Sequence, residues 1–345
     1  MASTRFVAET YRRGGSSRMA WNRRQRTFVF VFILWVPAFC VADSAMDDSG
    51  DVERRPIPAE TIALELANPV TLLASFGIDY EYRTYQGDLP GADGLDSQRM
   101  VFSPSWPIRL RNGKNLLLSA RIPINGDQPQ WNPVSYLTWE EFLIRQAPAP
   151  GSDPDSRWSL DPATGAFSYG HGNLGNVSFD IGYGGISDGG TISALNLVNV
   201  AVTSDDLSAR RGQWLLGPEL ILGKTTRWGL FGFRAKHLTN VYGEGDQELD
   251  YDTNETTLNP FVAWSLGNGW QVESSPVILY DWEAVGGNQW YVPVGAGISK
   301  TTSFGRVPVK MALELQYFAV SPDRFGQEWL LRVNLTPVLS TRQLR

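Results

Sequence analysis

The sequence has very few of the residues that form disulfides or take part in catalysis in many exported proteins. It contains one cysteine and two histidines in 345 residues. The cysteine, Cys40, lies in a segment with the features of an export leader. Once that leader is removed, the mature chain is predicted to have no thiol, no disulfide and no cysteine metal site. An exported chain of this length without cysteine is typical of a bacterial envelope, not of a disulfide-stapled secreted protein.

Long apolar segments are also lacking. The clearest run, residues 28–36, is shorter than the roughly 20 residues of a transmembrane helix. It is followed by small residues at Cys40 and Ala42, the order of a secretory signal peptide. We therefore predict a signal peptide at 1–42, whose basic part contains Arg12, Arg13, Arg18, Arg23, Arg24 and Arg26. No later segment is apolar enough for a membrane helix, so a membrane location requires a closed β-barrel.

Basic residues are scarce in the mature chain. Removing residues 1–42 takes seven arginines and one glutamate from the 30 basic and 36 acidic residues, which leaves 23 against 35 and a net charge of −12. A chain this acidic is not expected to bind nucleic acid.

Alternation of apolar and polar residues is what the chain has in abundance. Every second residue between 307 and 317 is apolar, with Lys310 and Glu314 among the intervening residues. The same period returns at 329–339, around Arg332. Period-two alternation is the signature of a strand. Runs of about ten residues with one apolar and one wet face are what a membrane-spanning strand needs. The alternative interpretation is the edge of a large soluble β-sandwich.

Ten further strands with this pattern are predicted upstream, near 76–83, 100–110, 116–124, 177–183, 191–203, 214–222, 231–236, 258–266, 272–281 and 290–298. Tight connections alternate with longer ones. The tight set includes Asn112-Gly113, 224–226 and Gly267-Asn268-Gly269, and the longer set includes 86–97 and 125–171. Short turns on one side and long loops on the other are typical of outer-membrane barrels.

These patterns predict an all-β fold, a transmembrane antiparallel β-barrel of about 12 strands in the outer membrane. The barrel is predicted at 73–340, after a lead at 43–72. Residues 61–73 are interpreted as a short amphipathic helix that stops near Pro69 and enters one mouth of the barrel, or as a plain lead-in turn. One long extracellular loop is predicted at 125–171. Tryptophans near strand ends agree with this fold, because indole prefers the membrane–water boundary. They are Trp214, Trp228, Trp264, Trp270, Trp282, Trp290 and Trp329.

Several short motifs resemble a known family. They include Leu66-Ala67-Asn68-Pro69-Val70, Arg121-Ile122-Pro123-Ile124, Gly267-Asn268-Gly269-Trp270, Tyr280-Asp281-Trp282-Glu283-Ala284 and Glu328-Trp329-Leu330-Leu331-Arg332. Over most of 66–339 the chain resembles the bacterial outer-membrane barrels named for MetA-pathway phenol degradation, which are also called transporters. The resemblance implies an envelope barrel and transport, and it brings no catalytic residues. The loop at 125–171 is longer than the corresponding loop of the family. The chain also does not end on the aromatic residue that many outer-membrane barrels present to the barrel assembly machinery. We expect 329–339 to serve as that signal internally.

Charged residues on the polar faces of the strands are the candidate site, predicted to line the lumen. They are Asp79, Glu81, Arg83, Arg109, Arg121, Asp180, Glu219, Arg234, Lys236, Glu273, Asp281, Lys310, Glu314 and Arg332. Bare charges in an enclosed interior must pair or be hydrated. Two outcomes stay open: a salt-bridged, closed interior, or a narrow wet path for small solutes.

The sequence offers little for catalysis. His237, near the end of a strand, is where an outer-membrane lipid hydrolase with a Ser–His–Asn triad would need a histidine, but no serine motif accompanies it. His171 is interpreted as a solvated loop residue. The alternating carboxylates at 244–255 lack a calcium-loop pattern and are interpreted as a solvated acidic loop. We predict no metal and no cofactor.

The predicted function is an outer-membrane channel or transporter for small solutes, with aromatic and hydrophobic compounds as candidates, and no enzyme activity. The predicted partners are outer-membrane lipid, a small-molecule solute and the barrel assembly machinery. One alternative is a non-conducting barrel that binds partners through the loop at 125–171. A second is an envelope lipid-modifying enzyme that uses His237.

Overall fold

The computed structural model describes residues 57–89, 91–131, 167–170, 172, 174–202, 212–243, 252–284, 286–305 and 307–340. The predicted signal peptide, most of the 125–171 loop, His171 and most of the acidic loop lie outside these residues. No helix in the described part of the chain is both long and apolar enough to cross a membrane.

A short helix, α1, spans Ala59–Ala67 and precedes the first strand. The sequence predicted a helix in 61–73 that stops near Pro69, and the helix begins slightly earlier, at Ala59, and ends at Ala67. Pro69 explains the end, because it restricts Asn68 to extended backbone (φ −79°, ψ 119°). The Asn68 side chain then stabilises the turn, since the Val70 N–H donates to its Oδ1 at 3.1 Å.

Fifteen strands follow in the described residues. The first seven are β1 Ala74–Gln86, β2 Asp96–Arg109, β3 Asn115–Asn125, β4 Gln128–Trp131, β5 Phe167–Gly170, β6 Val177–Ile186 and β7 Thr191–Ala201. The others are β8 Trp214–Thr226, β9 Gly229–Tyr242, β10 Asn254–Gly267, β11 Trp270–Ser274, β12 Ile278–Asp281, β13 Trp290–Phe304, β14 Val307–Val320 and β15 Gly326–Ser340.

The sheet closes on itself. Thirteen strands pair antiparallel in one sheet, from β1 through β3, then β6 to β10, and on to β15. The last strand returns to the first, with Glu81 opposite Arg332. Because β11 and β12 are two halves of one crossing, the described residues form a closed barrel of twelve crossings. Closure leaves no free sheet edge, so every ladder group is satisfied within the sheet. The predicted fold class and strand number are confirmed.

The outer face of the barrel is apolar. Trp106 (53% exposed), Leu220 (41%) and Leu313 (49%) point away from the interior. Residues of opposite parity, such as Glu81, are buried inside. This is the alternation of a barrel whose outer surface meets hydrocarbon. Six of the tryptophans predicted at strand ends are exposed there: Trp214, Trp264, Trp270, Trp282, Trp290 and Trp329.

The interior is not polar throughout, which the sequence analysis did not predict. Near the short-turn end, Ile192, Ile221, Leu230 and Phe261 form an inward apolar cluster with Val70. Near the long-loop end, Val198, Val202, Leu215 and Leu238 form another. The facing of β7, ambiguous in the sequence, follows from these two clusters: its even-numbered residues point inward.

Two connections differ from prediction. The turn expected at 224–226 is wrong, because β8 continues through Thr226 with Lys224 paired to both Thr191 and Phe231. The turn residues are Arg227 and Trp228.

The crossing predicted as continuous at 272–281 is interrupted between β11 and β12. Pro276 has no N–H to donate to the ladder. Its carbonyl instead accepts a hydrogen bond from Asn259 Nδ2 at 2.8 Å.

A two-stranded hairpin, β4 and β5, opens and closes the long insertion and lies outside the barrel sheet. The sequence analysis missed it, because Pro129 within β4 argues against a strand.

Candidate functional site: the charged interior

One buried carboxylate organises the charges on the wall formed by β15, β1, β2 and β3. Glu81 is 0% exposed, and four guanidinium groups converge on it. The ion-pair distances are 2.7 Å from Arg83 Nη2, 2.6 Å from Arg99 Nε, 3.3 Å from Arg121 Nη2 and 3.2 Å from Arg332 Nε. The strand register produces this convergence, since Glu81 lies opposite Arg99 on β2 and opposite Arg332 on β15. A buried carboxylate is tolerable only with such partners.

The network continues onto β14 through Arg332. Its Nη1 lies 2.7 Å from Glu314 Oε2, and Gln316 Nε2 donates to the other Glu314 oxygen at 2.6 Å. Four arginines and two glutamates are therefore joined by direct ion pairs, with a net charge of +2. We call this set, Glu81, Arg83, Arg99, Arg121, Glu314 and Arg332, the arginine network.

A second ion pair lies nearer the short-turn end. Lys310 Nζ lies 2.6 Å from Glu273 Oε1, which also accepts a hydrogen bond from Ser299 Oγ at 2.7 Å. Lys310 is on β14 and Glu273 on β11, so this pair bridges across the intervening β13.

The remaining predicted residues have varied surroundings. Asp79 accepts a hydrogen bond from Asn334 Nδ2 at 2.8 Å. Asp180 accepts one from Ser119 Oγ at 3.3 Å, and Glu219 accepts one from Asn196 Nδ2 at 2.7 Å. Among the others, Arg234 and Lys236 are half-buried, Asp281 is buried, and Arg109 is exposed at the end of β2.

Arg99 is the important residue that sequence analysis missed. It makes the shortest ion pair to Glu81. The sequence does contain a signal for it, because Arg99 lies an even number of residues before Ser103 and Ser105 and so falls on the same polar face of the strand. The predicted start of the strand at residue 100 left it out.

A cavity of about 230 Å³ lies in the interior, bordered by both groups of ion pairs. Asp79, Glu273, Lys310, Glu314 and Arg332 line it together with Leu66 of α1. Charged groups in such a chamber are compatible with bound water.

The helix and the residues after it fill the short-turn end of the barrel from inside. Ser265 Oγ donates to Glu60 Oε1 at 3.0 Å, and Asn115 Nδ2 donates to the Val70 carbonyl at 3.1 Å. Leu73 is fully buried and packs with Ile62 of the helix. We call residues 59–73 the inner plug.

An aromatic cluster covers part of the opposite end. Tyr85 stacks on Phe325 with ring centroids 4.7 Å apart, and Phe167 of β5 packs on the same Phe325 ring at 4.8 Å. The hairpin is fixed to β2 through Tyr169, whose hydroxyl donates to Asp96 Oδ1 at 3.3 Å. The Tyr169 hydroxyl, outside the barrel wall, has a raised pKa because of burial and the neighbouring Asp96 carboxylate.

The second candidate site, His237, faces outward. Its Nδ1 lies 2.9 Å from Thr256 Oγ1, which also accepts a hydrogen bond from Trp282 Nε1 at 2.9 Å. A hydroxyl beside an imidazole is half of a nucleophile–base arrangement.

Within the described residues, no group of three or more His, Cys, Asp or Glu side chains could hold a metal ion. Of the acidic loop, Asp252 accepts a hydrogen bond from Asn240, and Glu255 lies on β10 opposite Asp281.

Closure, an apolar outer face and enclosed ion pairs together define an integral β-barrel of the outer membrane. The predicted localisation is confirmed at this level.

Comparisons with known proteins give similarity in architecture. No protein-family model matches the chain, and no curated protein sequence matches it. Among solved structures, an outer membrane channel from Pseudomonas putida F1 is 11% identical, with a TM-score of 0.48 over 85% of this chain and 99% of that chain. Outer membrane phospholipase A from Escherichia coli is 13% identical, with a TM-score of 0.37 over 82% and 98%. The CymD monoaromatic hydrocarbon channel is 11% identical, with a TM-score of 0.35 over 82% and 98%. At these identities the similarity carries no information on substrate.

Proposed function

We propose that this protein is an outer-membrane channel for small solutes, with aromatic and hydrophobic compounds as the candidates. The observation that carries the proposal is the pairing of charges inside a closed barrel, around a cavity of about 230 Å³. A barrel that served only as an anchor would gain more stability from a packed apolar interior, because buried ion pairs rarely repay their desolvation. Partial hydration removes that cost, and a hydrated interior is a path for solutes.

The candidate solutes come from the short motifs that resemble those of the barrels named for MetA-pathway phenol degradation. That resemblance, like the fourteen predicted lumen-lining residues, forms part of the proposal. Outer-membrane lipid around the apolar face and the barrel assembly machinery during insertion are the proposed partners.

The inner plug has to be passed by any solute. Its contacts with the barrel wall include hydrogen bonds from Asn115 and Ser265, the apolar cluster at Val70, and a second cluster in which Ile62 and Leu73 pack with Val338 of β15. Segments held this way open locally at a lower free energy than the barrel itself. We therefore propose that displacement of residues 59–73 accompanies conduction.

The test is single-channel current from the purified mature chain in planar lipid bilayers. The proposal predicts discrete current steps whose ion selectivity changes in a Glu314→Gln variant. The matched control is Glu283→Gln, in the exposed segment after β12, which removes the same charge outside the network. An absence of discrete current contradicts the proposal and favours the non-conducting barrel that acts through the loop at 125–171.

A further inference from the structure

The interior cavity lies where two inward positions of the wall carry almost no side chain. Gly297, on β13, lies opposite Glu314 of β14 and Glu273 of β11. Ala312 is the inward residue of β14 two positions before Glu314. Both border the cavity of about 230 Å³, and Leu66 of the inner plug borders it from within the barrel. Since a cavity of about 150 Å³ can hold benzene, this one admits a solute with a single ring.

The two cations that line this cavity are already paired with carboxylates. Lys310 Nζ lies 2.6 Å from Glu273 Oε1. Arg332 places its Nη1 2.7 Å from Glu314 Oε2 and its Nε 3.2 Å from Glu81 Oε1. An anionic solute in the cavity would therefore have to compete with carboxylates of the protein for both cations.

Asp79 is the carboxylate of the cavity that is not in an ion pair. Its Oδ1 accepts a hydrogen bond from Asn334 Nδ2 at 2.8 Å, and within the described residues no lysine or arginine lies at ion-pair distance from it. The Asn334 amide is itself oriented by Thr336, whose Oγ1 donates to Asn334 Oδ1 at 2.9 Å. Strand pairing fixes this arrangement, since Asp79 of β1 lies directly opposite Asn334 of β15. The wall therefore holds the Asp79 carboxylate in one orientation at the edge of the cavity.

We propose that the cavity binds the ammonium group of a small aromatic amine, with Asp79 as its partner. An ionised carboxylate in an enclosed interior must be hydrated or paired, and an ammonium supplies three N–H donors together with the opposite charge. Leu66 and Ala312 give the cavity an apolar side for the ring. This inference rests on the proposed channel function and narrows its aromatic solutes to those that carry a primary amine. A neutral molecule of the same shape binds less well, because it leaves the carboxylate without an opposite charge.

The test uses benzylamine, which is protonated at neutral pH, and its neutral analogue benzyl alcohol. Binding to the purified mature chain in a non-ionic detergent is measured by broadening of the ligand's NMR signals, which detects millimolar affinities and does not require conduction. The wild-type chain is expected to broaden benzylammonium more than benzyl alcohol. In Asp79→Asn the apparent Kd for benzylammonium is expected to rise at least about tenfold, the loss of one hydrogen bond to a charged group.

A second variant changes the shape of the cavity and leaves its charges in place. Ala312→Leu is expected to weaken benzylammonium binding, because the leucine side chain occupies the space that the ring needs. The control is Asp188→Asn, which removes a carboxylate from an exposed short turn and is expected to leave binding unchanged. All measurements are made at about 0.15 M salt, which screens the general attraction of a cation to an acidic chain. Folding of each variant is checked by its shift in gel mobility on heating.

Three results overturn the inference. They are equal broadening of the two ligands or no benzylammonium binding in the wild type, unchanged binding in Asp79→Asn or Ala312→Leu, and an equal loss in Asp188→Asn. Because binding is measured without a membrane, binding without current contradicts the channel function alone. Current without a preference for benzylammonium contradicts this site alone.

Discussion

Arg99 Nε lies 2.6 Å from Glu81 Oε2, directly across the pairing of β1 and β2. This contact joins the fold to the candidate site. Strand register places the two residues opposite each other, and the enclosed position of Glu81 makes the contact necessary. The arginine network thus results from the pairing of the strands. It also stabilises the closure of the barrel, because Arg332 joins the last strand, β15, to Glu81 on the first strand.

Replacing Glu81 by glutamine is expected to destabilise the barrel strongly. The variant leaves four arginines around a neutral amide, and loss of one partner from a buried ion pair costs roughly 3–5 kcal/mol. Urea unfolding in lipid vesicles measures the loss. Glu283→Gln, at an exposed position, is the matched control and is expected to change stability by less than about 1 kcal/mol. Equal stability of the two variants would show that the network contributes little to the fold.

Fixing the inner plug is expected to lower conductance. Cysteines at Glu60 and Ser265, whose side chains now meet at 3.0 Å, can be joined by a short thiol-reactive crosslinker that a reductant cleaves. The mature chain is predicted to contain no cysteine of its own, because Cys40 lies in the signal peptide, so the two introduced thiols are the ones that react. Single-channel current is expected to fall on crosslinking and to return on reduction, because residues 59–73 fill the short-turn end.

The control for that measurement is the single Glu60→Cys variant treated with the same crosslinker. Current that persists at its full value in the crosslinked double variant would mean that ions pass beside the plug without moving it.

The His237 alternative has its own test. Fatty-acid release from phospholipid vesicles is expected to be absent from both the wild type and His237→Ala. The hydroxyl that lies 2.9 Å from His237 Nδ1 belongs to Thr256, whereas a lipid hydrolase with a Ser–His–Asn triad needs a serine at that place. Release by the wild type that disappears in His237→Ala would establish the lipid-modifying enzyme instead.

The strands were predictable from sequence because lipid on one side and water on the other impose a strict period of two. Glu81 and Arg332 could be assigned to the interior from parity alone. Their convergence at one point could not, because it depends on the register of β1 against β2 and β15, which no local pattern encodes. Arg99 was missed because the strand was predicted to start at residue 100, four residues after its observed start at Asp96.

The inner plug and the hairpin show a different limit of sequence reasoning. The helix was predicted, and its position in one mouth of the barrel was one of two alternatives that the sequence left open. The choice between them depends on Val70 meeting Ile192 and Phe261, which are far away in the chain. The hairpin of β4 and β5 was not predicted, because Pro129 occupies one of the four positions of β4 and proline disfavours a strand.

The central claim is that the apolar face of the strands meets hydrocarbon while the ion pairs lie enclosed. Leu313→Arg and Phe304→Arg test it most directly, because Leu313 lies in the middle of β14 and Phe304 at the turn end of β13, both exposed on the outer face. In lipid vesicles the free energy of unfolding is expected to fall by about 2–4 kcal/mol for Leu313→Arg and by about 0–1 kcal/mol for Phe304→Arg. Equal, small losses at both positions would contradict the claim, since they would mean that Leu313 faces water.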